Sequence, residues 1–198
     1  CEMNIDAYLD EKFGILEYLL RQKEAGRIRH LGFSAHGSCP VIKRFFDAFG
    51  KHMEFCQIQL NYIDWSFQQA KEKTELLNQY NLPIWVMEPL RGGKLAALSE
   101  KDTAALKELR PEEKVPAWAF RFLQSLPNVT VILSGMSSME QLQENIQTFE
   151  TEKPLNPQEI DALLPMDDTL VNKIAIPCTA CRYCVSHCPQ ELDIPSLL

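Results

Sequence analysis

Apolar positions along the chain fall into two rhythms, and the rhythms take turns. In FGILEYLLRQKEAGRI, Phe13, Leu16, Leu19 and Leu20 recur at helical spacing and Gly26 supplies a stop. IRHLGFS, residues 28–34, reads as a short strand ending at a glycine-containing turn. SCPVIKRFFDAFG predicts a helix with Ser38 as cap, Pro40 in its first turn and Gly50 at its end. EFCQIQLNY, residues 54–62, alternates as a strand does, and AKEKTELLNQYN is helical. LPIWVMEPL, residues 82–90, has the apolar run of a buried strand. TAALKELR and VPAWAFRFLQSLP are helices, the second opened by Pro116. NVTVILSG, residues 128–135, is a β-branched strand, SSMEQLQENIQTFE a helix capped by Ser137 or Ser138, and NPQEIDALLP a further helix. Strands alternating with helices predict a parallel sheet and an α/β fold. Function in such folds collects at the C-terminal strand ends, here Ser34, Asn61, Glu88–Pro89 and Ser134–Gly135.

Composition narrows the partners. The 198 residues are 45% hydrophobic and 24% charged, ordinary for a globular chain. A formal charge of −7 argues against nucleic acid and anionic membrane, which call for basic patches. No apolar run reaches the length of a membrane span. The start, CEMNIDAYLDEKFG, is polar and acidic, unlike a signal peptide, and lacks an initiating methionine. The expectation is a cytoplasmic protein represented by a fragment.

The cysteines change the picture. Cys178, Cys181, Cys184 and Cys188 are spaced C-x2-C-x2-C-x3-C and followed by Pro189. In a reducing compartment, clustered cysteines hold metal more readily than they form disulfides. The spacing is that of bacterial ferredoxins, in which three thiolates cap the irons of one 4Fe-4S cubane from a single loop. Cys188 then completes this cluster or belongs to a second one. A four-cysteine zinc site is the alternative, although zinc motifs come as two pairs across a longer loop. Cys1, Cys39 and Cys56 read as small buried residues, Cys56 facing the helices.

Four segments in order, KEAGRIRHLGFS, QIQLNY, MEPLRGGKL and SGMSSMEQLQEN, resemble the second half of an aldo/keto reductase. The resemblance covers residue 11 to about residue 164, and the cysteines narrow it to the ferredoxin-like, iron–sulfur-containing branch of that family. It implies an α/β fold that is the C-terminal half of a TIM (β/α)8 barrel, strands five to eight with their helices, over residues 1–165. A small Cys-rich iron–sulfur segment, truncated, occupies residues 166–198. It also implies that the family's catalytic tyrosine, lysine, aspartate and histidine lie upstream of Cys1. Residues 1–198 alone are then expected to be inactive, with the missing barrel half supplied by a partner or an oligomer.

The resemblance further implies a surface for NAD or NADP. Ser34 and Gln57 match the pair that contacts the nicotinamide amide, although Ala35 stands where the family has asparagine. Met87 falls where many members stack an aromatic ring. Glu88, Pro89, Leu90, Arg91 and Gly92 form the loop along the pyrophosphate, with Arg91 either neutralising it or simply solvated. Ser134, Gly135, Met136 and Ser137 lead into the helix at the adenosine end, where Gln141, Glu144 and Asn145 share a face. Neither Ser137 nor Gln141 is basic, which leaves a 2′-phosphate without a cation and keeps NAD open. Asp64, Trp65 and Phe67 are candidates for the substrate mouth, and His36 receives no catalytic role. The function so implied is an oxidoreductase passing hydride between nicotinamide and a small carbonyl or alcohol, with an electron donor or acceptor for the cluster. The alternatives are an electron-transfer protein on a non-catalytic barrel and a zinc-stabilised scaffold.

Overall fold

The computed structural model describes residues 4–166, 183–186 and 188–197. Two helices open the chain, α1 (Ile5–Leu9) and α2 (Ile15–Glu24). Phe13 is not on the predicted helical stripe. Gly14 at φ 54° breaks the chain before α2, and the Phe13 ring is left 55% exposed in a tight turn. Gly26 is the predicted stop: its φ of 73° lies in the left-handed region that glycine enters without steric cost.

The strands and helices then alternate as β1 (Phe33–Ala35), α3 (Cys39–Phe49), β2 (Cys56–Gln59), α4 (Asp64–Phe67), α5 (Ala70–Gln79) and β3 (Ile84–Met87). They continue with α6 (Glu100–Leu109), α7 (Val115–Gln124), β4 (Val129–Ile132), α8 (Met139–Glu150) and α9 (Pro157–Leu163). Single helical turns follow at Tyr183–Ser186 and Ile194–Leu197. The four strands form one parallel sheet in the order β1-β2-β3-β4. No helix among the described residues is long and apolar enough to cross a membrane.

β1 is shorter than the predicted 28–34. Gly32, just before it, lies so close to the Phe55 ring that a Cβ there would sit 2.6 Å from ring carbons. The helix starts are set by local chemistry. Ser138 and Gln141 form a reciprocal capping box on α8, and Asn156 and Glu159 form one on α9. Arg110, at the end of α6, holds both oxygens of Glu159 at 2.6 and 2.7 Å and the carbonyls of Lys153 and Pro154 at 3.1 Å.

Alternation along β2 and β3 sorts the two faces of the sheet. Cys56, Ile58, Ile84 and Val86 are buried; Gln57, Gln59, Trp85 and Met87 are half-buried and point the other way. The buried set joins Ile42 of α3, Leu77 of α5 and Ala119, Phe122 and Leu123 of α7 in one core. Cys56 thus faces the helices as expected, and burial pushes its thiol pKa up.

Glu54, ahead of β2, collects Lys23, the His30 ring at 2.6 Å and the Leu31 amide at 3.3 Å. These donors, Lys23 first, hold its pKa at about 2. A folded-state pKa below the unfolded one stabilises above the usual carboxylate range and is lost as pH falls toward about 2. In acid titrations, Glu54→Gln should therefore separate modestly from the parent above that window and merge with it below; equal curves throughout would contradict this. The group is solvent-screened, so the gap should be small.

Candidate functional site

All four strands run the same way, so their C-terminal ends share one rim of the sheet. Ser34 and Gln57 are register partners across β1 and β2, as are Gln57 with Trp85 and Gln59 with Met87 across β2 and β3. These residues occupy the face opposite the core. Gln57 donates to Met87 Sδ at 3.6 Å, a weak acceptor that leaves the amide available to a better one. Level with Gln57 in the register, the Trp85 ring stacks on Phe55 at 3.9 Å and 11°. The structure thus brings Ser34, Gln57 and Met87 together.

Beyond Gln59 the chain builds a buried polar knot. Asn61 and Asp64 are both 0% exposed. Asn61 Oδ1 accepts from the Ile63 and Asp64 amides at 3.1 and 2.9 Å, which starts α4. Its Nδ2 donates to Asp64 Oδ2 at 2.7 Å and to the Glu88 carbonyl at 2.9 Å. Gln59 adds a bond to Asp64 Oδ2 at 2.8 Å. Arg91, 1% exposed, brings Nε to 3.4 Å from Asp64 Oδ1 and lies 5.1 Å from the centre of the Phe67 ring. Arg91 is therefore not solvated, and Asp64 does not line a mouth; Trp65 packs edge-on to Phe122 at 5.4 Å. The spacing of QLNYID gave no warning of this knot, because its partners come from the next strand's loop.

In that loop Glu88, Arg91, Gly92 and Gly93 all have positive φ, at 57, 48, 62 and 88°. Pro89 is buried and Leu90 half-buried, while the Glu88 carboxylate accepts from the Gly92 amide at 2.6 Å. At the far end of the rim, Asn145 donates to Ser134 Oγ at 3.2 Å and to Met136 Sδ at 3.4 Å. Gln141 Oε1 takes the amides of Ser137 and Ser138 at 2.8 and 3.3 Å. Glu144 accepts from Lys114 at 2.5 Å, and Gly135 is exposed. The start of α8 is thus capped from within the chain.

Beside β1 lies a cavity of about 1190 Å³, apolar through Phe33, Val41 and Phe45 and polar at Ser34, His36 and Gln59. Burial holds the His36 pKa below its ordinary value, and the positive charge of Lys73 adds to that.

Residues 4–166 match the sequence profile described as the aldo/keto reductase family. Among solved structures, the chain is similar to the aldo-keto reductase AKR11C1 from Bacillus halodurans. Its holo form gives a TM-score of 0.60 at 21% identity, covering 76% of this chain and 54% of that one. The apo form gives 0.62 at 21%, covering 79% and 57%. An aldo-keto reductase from Klebsiella pneumoniae, solved in complex with NADPH, gives 0.56 at 19%, covering 78% and 52%. The chain thus spans about half the length of the solved structures it matches. No curated protein matches it.

These findings correct several expectations. The profile takes in 4–166 as one region, and those residues bury their own core under α3, α5 and α7. The reading as a C-terminal barrel half plus a ferredoxin-like segment, and the expected partner for the missing half, give way to that single region. The match ends before the cysteines, and among the described residues no group of three or more His, Cys, Asp or Glu is placed to hold a metal ion. Among the described residues nothing therefore supports the iron–sulfur branch, its 4Fe-4S cluster, or the electron-transfer and zinc-scaffold alternatives. Cys178 and Cys181 lie outside the described residues. Cys184 is exposed on its helical turn at the cavity edge, and Cys188 is half-buried.

Proposed function

Because the chain belongs to the aldo/keto reductase family, we propose that it serves an oxidoreductase using NAD or NADP on a small carbonyl or alcohol. The observation that carries this reading is the row of Ser34, Gln57 and Met87 at the strand ends. A hydroxyl beside a primary amide supplies the donors and acceptors that a nicotinamide carboxamide needs, and a thioether is soft enough to lie against its ring. The NADPH in the Klebsiella protein supports the same class of cofactor. When bound, the cofactor supplies the hydride. Ser34 and Gln57 orient its amide, Met87 and the Phe55–Trp85 stack exclude water beside it, and the Glu88–Gly92 loop borders its phosphates. Ser137 and Gln141 offer no cation to a 2′-phosphate, so NADH should bind at least as well as NADPH.

Calorimetric titration of the chain with NADH and with NADPH tests this, followed by turnover of simple aldehydes. Heat from neither nucleotide would overturn the proposal. Gln57→Ala should weaken the nucleotide that binds about tenfold, the effect of one net hydrogen bond of about 1–1.5 kcal/mol. An unchanged affinity would remove Gln57 from the amide site.

A further inference from the structure

α2 is an amphipathic helix with no fully buried residue. Its apolar positions Leu16 and Leu19 line the cavity beside β1 and take no part in the core under the sheet. Phe45 of α3 gathers the aromatic wall: Phe33 lies 4.5 Å from it, and Tyr8 and Phe49 stand edge-on at 6.4 and 5.3 Å. Arg44 Nη2 holds Asp6 Oδ1 at 2.7 Å and so ties α1 to α3, although neither residue lines the cavity. The polar wall is a separate observation. While 24% of the chain is charged, no Asp, Glu, Lys or Arg among the described residues lines the cavity. Gln59 spends Nε2 on Asp64 at 2.8 Å, which leaves its Oε1 as an acceptor. The side chains of Ser34 and Gln68 have no hydrogen-bond partner among the described residues. His36 adds no charge at neutral pH, because burial, and after it the charge of Lys73 outside the wall, lowers its pKa. A carboxylate, phosphate or ammonium entering here would lose its water and meet no counter-charge in the wall.

We infer that this cavity is the substrate arm of the cofactor site, and that it takes uncharged molecules with an aryl or alkyl body and one carbonyl or hydroxyl. Sugar phosphates, keto acids and amines are turned away. The inference rests on the nicotinamide reading above, because Ser34 belongs both to the cofactor row and to the cavity wall. A serine hydroxyl has one proton and two lone pairs, so it can meet the cofactor amide and a ligand oxygen together. Gln59 follows Gln57 by two residues on the same face of β2, about 7 Å further along. A ligand oxygen between Ser34 and Gln59 therefore lies beside the nicotinamide, while the body of the ligand covers the stripe of α2 and the ring of Phe45. At about 1190 Å³ the cavity has room for such a body; small-molecule sites run to about 1,000 Å³.

The test titrates the full chain with three probes that share one body: naphthylmethanol, naphthoate and naphthylmethylamine. Calorimetry at neutral pH measures each probe alone and with NADH present. Naphthylmethanol should bind roughly tenfold more tightly than either charged analogue, and it should still bind beside NADH. Val41→Trp, which fills the cavity from α3, should weaken naphthylmethanol about tenfold. Gln68→Lys, which puts a cation in the wall, should turn the preference toward naphthoate. Thermal melting confirms that each variant is folded, and Gln68→Lys, just past the end of α4, guards against a packing defect in Val41→Trp. Equal binding of the three probes, no binding, mutual exclusion of naphthylmethanol and NADH, or an unaltered order of probes in Gln68→Lys overturns the inference. The two readings fail separately. Preference for naphthylmethanol without NADH binding keeps the uncharged-ligand cavity and sinks the nicotinamide assignment. NADH binding with no preference for the uncharged probe does the reverse.

Discussion

Asp64→Ala is expected to cost about 3–5 kcal/mol of folding stability, because it leaves the Arg91 guanidinium buried without its counter-charge. The cost is not the worth of the ion pair. Placing both charges out of water is itself unfavourable, and their attraction roughly offsets that penalty. Asp64 also receives the side-chain amides of Gln59 and Asn61, so its removal strands those donors as well. The double variant Asp64→Ala, Arg91→Met should recover much of the loss, since it removes the unpaired charge and keeps an apolar chain over Phe67. Urea denaturation of the two single variants and the double one measures this coupling. Strictly additive losses would show that the two side chains are energetically independent despite their contact.

Phe122→Ala should cost about 3–5 kcal/mol through the cavity it leaves in a core that cannot close around it. The ring is enclosed by Tyr62, edge-on at 6.4 Å, and by Trp65 at 5.4 Å. Both neighbours flank the buried Asn61–Asp64 knot. The variant should therefore also bind the nucleotide less tightly, because the knot fixes the Glu88 carbonyl. Thermal melting and calorimetric titration of the same sample separate the two effects. A loss of stability with unaltered affinity would confine Phe122 to the core.

The pattern of apolar positions was enough to place the sheet. QIQLN alternates and IWVM is a continuous apolar run, and the structure trims their predicted strands only at the ends, where pairing stops. β1 shrank further, because among the described residues it pairs only with β2 and its approach is constrained at Gly32. α4 was not legible: NYIDWSF carries no helical stripe, and its turn is started by the Asn61 side chain. The site divides in the same way. Ser34, Gln57 and Met87 were expected from the family resemblance alone, and it is the strand register that sets them on one face of the sheet. Arg91, expected either to neutralise a pyrophosphate or to be solvated, is buried against Asp64, a partner invisible in its own loop because it comes from the exit of another strand. The cysteine spacing was the strongest local signal in the chain, yet spacing shows only which chemistry the side chains suit. Whether a fold draws them into one coordination sphere depends on contacts that are distant in sequence.

Gly32 has a consequence that reaches past its own turn. A methyl group there would displace the Phe55 ring, which leans flat on Trp85, which in turn lies beside Gln57 in register. Three residues on three strands or their approaches thus form a stack of rigid bodies with no slack at its far end. Substitution at position 32 is mechanically a substitution beside Gln57, carried there through two stacked rings.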